Sequence, residues 1–176
     1  MPAPDAVRLR REAAIEVLRA EGGVAVGQQA GRAWVRTRFS GPYLRDDLMD
    51  RGVLVETLET ATTWSRLDAL KAAVTRALGD LHVGCHVSHV YPTGASLYFT
   101  ALGAAGDDPA GRWRQAKAAA CDAILAAGGT LTHHHAVGRD HAPWLAQEDP
   151  GGVALLRAIK DRLDPAGIMN PGVLLG

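Results

Sequence analysis

The chain has 176 residues, of which 47% are hydrophobic and 22% are charged, and its formal net charge at pH 7 is zero. This length suits one domain, or at most one and a half, with an ordinary hydrophobic core. The neutral charge balance argues against nucleic-acid binding, and the apolar runs are too short to cross a bilayer. No signal-peptide pattern begins the sequence.

The first quarter of the chain has weak patterning. A helix is predicted for Asp5–Ala20, because an acidic residue can cap its start and a Glu-Gly-Gly sequence ends it. Val24–Gln28 is interpreted as a short strand. Ala33–Phe39 is interpreted as a strand or an extended lead-in, because its polar and apolar residues alternate weakly. Tyr43–Asp50 is predicted to be a short helix.

The middle of the chain carries the clearest strand signals. Val53–Thr60 is rich in β-forming residues and is predicted to be a strand, followed by a helix that ends at Leu78. His82–Val90 and Ala95–Leu102 are predicted to form a hairpin, because the sequence Tyr-Pro-Thr-Gly between them is typical of a turn.

The last third combines helices with one unusual loop. An alanine-rich helix is predicted for Arg112–Ala127, a helical turn from Pro143, and a helix for Gly151–Leu163. The whole pattern predicts an α+β fold in which helices pack on one face of a mostly antiparallel sheet. No glycine-rich loop follows a predicted strand, so the pattern contains neither a Rossmann unit nor a P-loop.

The two cysteines do not suggest a metal or redox site. Cys85 and Cys121 lack the spacing of zinc or disulfide-exchange motifs. We expect two buried, reduced thiols in a cytoplasmic protein.

Three consecutive histidines, His133, His134 and His135, follow a Gly-Gly break. A strand or a helix would send three consecutive side chains in different directions, whereas a loop can aim them at one cavity. Imidazoles near neutral pH suit proton transfer or the binding of an anion. The histidine loop is therefore a candidate functional site.

A metal site is the alternative interpretation of these histidines. His82, His86 and His89 are close in sequence to the loop and could meet it. Strand alternation would place His82 and His86 on one face and His89 on the other. No carboxylate or cysteine completes a ligand set by spacing, so a metal is the less favoured reading and none is predicted.

The side chains of Tyr98 and Arg45 each allow two interpretations. Tyr98 lies in the middle of a predicted strand, on its more polar face. It is either a half-buried tyrosine or a phenol in a cleft, which would need a base because a phenol titrates near pH ~10. Arg45 either pairs with Asp46 and Asp47 at the surface or forms a fork for a phosphate or carboxylate. Sequence alone favours the surface pair.

The segment from Asp164 to Gly176 is apolar for a chain end, with a Pro-Gly turn at Pro171 and Gly172. An apolar terminus is expected to be tied down rather than mobile in water. It docks either on its own domain or against a partner or a cofactor ring.

These segments together resemble the C-terminal (cap) part of the FAD-linked oxidase family, flavoproteins with a vanillyl-alcohol-oxidase-like fold. The tail from Asp164 to Gly172 looks like the segment that closes the family's fold near the flavin ring. Within the family, the chain is most similar to the alkylglycerone-phosphate synthases (alkyl-dihydroxyacetonephosphate synthases). Four further stretches carry that likeness in order: Tyr43–Asp46, Thr57–Thr60 with Trp64, Gly94–Phe99, and Gly128–Leu145 with its triple histidine.

The resemblance implies an FAD enzyme that exchanges the acyl chain of acyl-dihydroxyacetone phosphate for a fatty alcohol, without net redox change. It implies that Tyr98 is the catalytic acid and base and that His134 assists it. The implied substrate-binding residues are Arg45, His133 and His135, and the implied cofactor contacts are His135, Asn170 and Pro171.

The likeness is incomplete in three ways. Ala136 stands where the family usually has glycine, and the lysine that many relatives have after the tail's Pro-Gly is missing. The FAD-binding half of such enzymes is also absent. We therefore expect residues 1–176 to be one cap domain, inactive alone, that needs an FAD-binding N-terminal half in cis or in trans.

The resemblance also implies a lipid-like phosphate substrate and a cytoplasmic protein, with peripheral membrane association and a homodimer both left open. Two alternatives stand beside it. One is the cap of a generic FAD-linked hydroxy-acid or alcohol oxidoreductase. The other is a non-catalytic domain that binds an anion or a metal.

Overall fold

The computed structural model describes residues 4–175, with the backbone alone for Pro4. Residue contacts divide the chain into two compact units, Met1–Leu44 and Arg45–Gly176. Helices α1 (Pro4–Ala20) and α2 (Gln29–Thr37) lie in the first unit, and the boundary between the units falls inside α3 (Gly41–Met49).

The two strand interpretations in the first unit are wrong. Residues 24–27 have no regular structure, and α2 occupies most of the stretch interpreted as a strand at Ala33–Phe39. A lone strand would leave its backbone donors and acceptors without partners, whereas a helix pairs them internally. The side chain of Arg32 also donates to the Gln28 side chain one turn earlier, at 3.2 Å, which suits a helix.

The second unit has the predicted α+β architecture. A three-stranded antiparallel sheet has the order β1-β3-β2, and helices pack against it. Its elements in chain order are β1 (Val53–Thr63), a 3₁₀ turn (Trp64–Arg66), α4 (Leu67–Ala77), β2 (His82–Val90), β3 (Gly94–Ala104), α5 (Pro109–Ala126), α6 (Gly138–Glu148) and α7 (Pro150–Leu163).

Helices α5 and α6 begin at least three residues earlier than predicted. Helix α5 starts at Pro109 because Asp108 accepts a hydrogen bond from the Gly111 amide at 2.9 Å and so caps it. Helix α6 starts at Gly138, and Pro143 lies inside it rather than opening it. In the part of the chain that the structure describes, no helix combines the length and apolarity that a bilayer crossing requires.

One face of the sheet carries the core. Leu58, Leu97 and Phe99 are buried on this helix face, where Leu70 of α4 and Ile124 of α5 pack against them. Burial of such side chains is the main favourable contribution to folding.

The other face, here called the open face, has a polar centre. Residues directly opposite each other in an antiparallel pair lie on the same side of a sheet. Glu59 of β1 and His86 of β2 both pair with Tyr98 of β3, so all three side chains lie on the open face.

After α5, the chain crosses from the helix face to the open face over the edge of β1. The Thr130 amide donates to the Ala61 carbonyl at 2.9 Å, and its hydroxyl accepts from the Ala61 amide at 3.1 Å. The Thr60 hydroxyl donates to the Thr130 carbonyl at 2.6 Å. Because β1 is an edge strand, these backbone groups are available for pairing.

This crossing explains Gly129. A Cβ there would lie 2.8 Å from the Thr60 hydroxyl and 3.0 Å from Leu70, closer than packed atoms tolerate.

Gly129→Ala should therefore destabilise the fold by about 1–3 kcal/mol, the usual effect of overpacking. Gly84→Ala is the matched control, because a Cβ at Gly84 would meet only the Thr100 carbonyl oxygen, at 3.9 Å. We expect that control to change stability by less than about 0.5 kcal/mol. Urea denaturation of both variants measures the difference, and equal midpoints would contradict the close approach.

Candidate active site on the open face

A buried carboxylate lies at the centre of the open face. The Glu59 side chain is only 3% exposed, and both of its oxygens are used. Oε1 accepts from the Ser88 hydroxyl at 3.2 Å, and Oε2 accepts from the His134 backbone amide at 3.0 Å. Buried carboxylates need this kind of satisfaction, because an unpaired one would be strongly destabilising.

Three imidazoles surround the same carboxylate. His89 Nδ1 lies 3.6 Å from Oε1, His135 Nε2 lies 3.8 Å from Oε2, and His134 Nδ1 lies 4.0 Å from Oε1. All three rings are about half exposed, so one side of the cluster faces solvent. The site thus combines one buried carboxylate, that of Glu59, with three solvent-accessible imidazoles.

The expected orientation of His89 is wrong, and an irregularity in β2 explains why. The register between β2 and β3 shifts between Val87 and Val90. A bulge of this kind breaks the strict alternation of side chains. Ser88 and His89 consequently both reach Ser96, through a hydroxyl pair at 2.7 Å and a His89 amide bond at 3.0 Å.

The loop distributes its three histidines among three partners. His133 Nε2 lies 2.9 Å from the hydroxyl of Tyr91. His134 lies against Glu59 and stacks edge-on to the His89 ring, with centroids 4.3 Å apart. His135 lies edge-on to the Tyr98 ring, with centroids 5.5 Å apart. The histidines therefore lie side by side along the open face, with His133 next to Tyr91, His134 next to His89 and His135 next to Tyr98, and with Glu59 close to the last two.

Electrostatics favour the ionised form of Glu59. Burial alone would raise its pKa, but the hydrogen bonds from the His134 amide and Ser88, together with the charges of His135 and His134, outweigh burial. The pKa of Glu59 therefore lies below its ordinary value, and the residue is a carboxylate at neutral pH.

Sequence reasoning assigned no role to Glu59. It is separated by 75 residues from His134, so no spacing rule could connect them. The available signal was a charged residue inside the β-rich stretch Val53–Thr60. Tyr91 was likewise treated only as a turn residue.

The cluster also has the composition of a metal site. Glu59, His89 and His134 each offer one ligand atom, and these atoms all lie within 4.8 Å of one another. One carboxylate and two imidazoles are a common donor set for zinc.

Arg45 lies apart from these groups. Its guanidinium pairs with the adjacent Asp46 at 3.0 Å and is half exposed. It lines a cleft of about 710 Å³ together with Glu56 and Trp113, and the described lining of this cleft includes none of the cluster residues. The structure thus brings Tyr98 and the histidine loop together but leaves Arg45 in a different cavity.

The C-terminal tail is held by Asp164. This buried carboxylate accepts from the backbone amides of Ile168 and Met169, both at 3.0 Å, and pairs with Lys160 at 2.6 Å. The hydrogen bond from Lys160 is the main reason that the pKa of Asp164 is lowered. Asn170, in the left-handed region at φ 45°, and Pro171 are exposed beyond this anchor.

Comparison with known proteins places the chain in a family. The family described as FAD linked oxidases, C-terminal domain, matches residues 2–174. Alkyldihydroxyacetonephosphate synthase of Trypanosoma brucei brucei is 31% identical over 94% of this chain and 29% of its own length. The synthase of Caenorhabditis elegans is 36% identical over 87% of this chain and 28% of its own.

A solved structure of an alkyldihydroxyacetonephosphate synthase is also similar. It has a TM-score of 0.65 and 25% sequence identity, covering 95% of this chain and 29% of that chain. The protein therefore belongs to the FAD-linked oxidase C-terminal family, whose cofactor is FAD. It spans about 29% of the length of the first of these relatives.

Asp164→Asn should release the tail, because an amide side chain offers one acceptor oxygen where the carboxylate satisfies three donors. We expect faster hydrogen exchange at the amides of Ile168 and Met169. Asp161→Asn, an exposed substitution in the last turn of α7, is the matched control. Unchanged exchange in the Asp164 variant would show that the tail is held by other contacts.

Proposed function

We propose that this chain is the substrate-side cap of an FAD-dependent enzyme of the alkyldihydroxyacetonephosphate synthase type. Such an enzyme exchanges the acyl chain of acyl-dihydroxyacetone phosphate for a fatty alcohol. The observation that carries the proposal is the convergence of Tyr98 and three consecutive histidines on one open face around a buried carboxylate. The likeness to synthases over nearly the whole chain supports it.

In this proposal, Tyr98 holds and returns a proton at the substrate carbon. A phenol needs a nearby base to do so at neutral pH. We propose His134 as the histidine that assists it; His135 lies edge-on to the Tyr98 ring, and Glu59 lies next to both imidazoles. Glu59 balances the positive charge that an imidazole gains when it accepts the proton.

His133 and His135 are proposed to contact the substrate, because both rings are accessible on the open face. Arg45 is proposed to hold an anionic group, for which a guanidinium is well suited. Since Arg45 lines the cleft that also contains Trp113, the group it holds would be one that enters that cleft.

The described residues fit part of an FAD site. The half-exposed rings of His134 and His135 offer a surface for a flat ring, and the exposed Asn170 and Pro171 are accessible for contact. No glycine-rich loop follows a strand of the described chain, so we propose that an FAD-binding N-terminal half supplies the nucleotide site. When bound, FAD supplies an electron-accepting ring.

Reconstitution tests the proposal. The chain is mixed with an FAD-loaded N-terminal part of the Trypanosoma brucei brucei synthase, and association, the flavin spectrum and incorporation of labelled fatty alcohol into acyl-dihydroxyacetone phosphate are measured. We expect a complex, a changed flavin spectrum and incorporation. Flavin bleaching by a hydroxy acid without incorporation would favour the generic oxidoreductase. A chain that neither associates nor alters the spectrum would contradict both enzyme readings.

Tyr98→Phe should lower turnover of the reconstituted enzyme by about 10²–10⁴-fold, the usual contribution of general acid–base catalysis. The fold should survive, because only a hydroxyl is removed from a half-buried ring. Tyr91→Phe is the control: it removes a hydroxyl that bonds His133 on the same face, and we expect a much smaller loss. Wild-type activity in Tyr98→Phe would remove Tyr98 from the mechanism.

A metal-binding domain is the second candidate, favoured by the Glu59, His89 and His134 cluster. If it is correct, calorimetry will show one Zn²⁺ bound per chain. His89→Ala will then weaken binding by more than about tenfold. His82→Ala, an exposed histidine of the same strand outside the cluster, will leave binding unchanged. Equal effects of the two substitutions would count against this site.

A further inference from the structure

We infer that Glu59 is the positioning residue of the histidine loop: it fixes His134, and thereby decides which partner each of the three histidines meets. The inference rests on the proposed function for its catalytic meaning, but its structural content stands independently. Glu59 is only 3% exposed and binds the His134 amide, so it acts through the loop.

The histidines depend on Glu59 because the loop's other backbone anchors precede them: Thr130 pairs with β1, and the Leu131 amide donates to Glu148 at 3.1 Å. Residues 129–137 contain no helix or strand. Within the described chain, the backbone of residues 133–135 reaches the sheet through one hydrogen bond, from the His134 amide to Glu59 at 3.0 Å. The Thr132 hydroxyl closes the loop on itself by donating to the His135 carbonyl at 2.6 Å. This internal bond shapes the loop but does not locate it on the sheet.

Fixing His134 fixes its neighbours. With the His134 amide held on Glu59, His133 lies on the side of Tyr91 and His135 on the side of Tyr98. If the loop were released from Glu59, His133 would no longer be held beside Tyr91, nor His135 beside Tyr98.

The dependence is mutual. A buried carboxylate is stable only when donors and positive groups surround it. The loop supplies the His134 amide and the rings of His134 and His135, and the bulge of β2 supplies Ser88 and His89. Two elements that are distant in sequence are therefore joined through one side chain of β1.

Glu59→Gln tests the inference in the full chain after removal of metal by chelation. Glutamine keeps the size and an acceptor oxygen but loses the charge, and hydrogen bonds to charged acceptors are stronger than those to neutral ones. Exchange of the His134 amide, which donates to Glu59, should rise about five- to tenfold, while the amides of Leu97 and Phe99 in β3 stay protected. The ring contact between His135 and Tyr98, measured by NMR, should weaken in parallel.

Glu56→Gln is the matched control. Glu56 is a second carboxylate of β1, 12% exposed on the helix face, where it pairs with Lys117 at 3.0 Å. Its loss should affect the sheet and α5 without singling out the histidines. Glu59→Asp, which keeps the charge on a shorter side chain, should give intermediate exchange at the loop, and it serves as the deciding variant if Glu59→Gln does not fold.

Unchanged exchange of the His134 amide and an unchanged contact between His135 and Tyr98 in Glu59→Gln, or in Glu59→Asp if the glutamine variant does not fold, would overturn the inference. So would protection of the wild-type loop that appears only when Zn²⁺ is added, because Glu59 would then serve a metal. In the reconstituted enzyme, Glu59→Gln should lower kcat more than it raises KM. If reconstitution fails but amide exchange in the loop still rises in Glu59→Gln, the proposed function is refuted and the role of Glu59 stands.

Discussion

The position of β1 at the edge of the sheet is the constraint on which the site depends. An interior strand would have both rows of backbone groups paired, and no segment could cross it. Because β1 has β3 on one side only, Thr130 can pair with Ala61 on the other. The chain that leaves α5 on the helix face thereby reaches the open face, where it places its histidines.

Two glutamates of β1 organise the two faces. Glu56 lies on the helix face, where Lys117 and Trp113 of α5 bind it. Glu59 lies on the open face and binds the histidine loop and β2. Their spacing of an odd number of residues is what sends them to opposite sides of the strand. One strand thus anchors both the helix that precedes the loop and the loop itself.

Sequence patterns predicted the parts of the molecule that local rules govern. The hairpin of β2 and β3, the helices α4, α5 and α7 and the polar face of Tyr98 follow from alternation, helical spacing and turn residues. Patterns did not predict the features that depend on pairing between strands or on contacts between residues far apart in the sequence. The bulge that redirects His89 is a shift in the register between β2 and β3, and the role of Glu59 comes from its contact with His134, far along the chain. The separation of Arg45 from the histidines is also a matter of three-dimensional arrangement, which a shared motif order does not reveal.

The length of the loop between its two anchors determines which partner each histidine meets. Thr130 holds one end on β1, and Glu59 holds the other end at His134. An insertion or deletion of one residue between these anchors would shift the histidines by one position, so that two partners would meet a different histidine and the third would meet none. The three histidines are therefore not interchangeable, although they are identical residues. Replacing each one in turn would remove a different interaction.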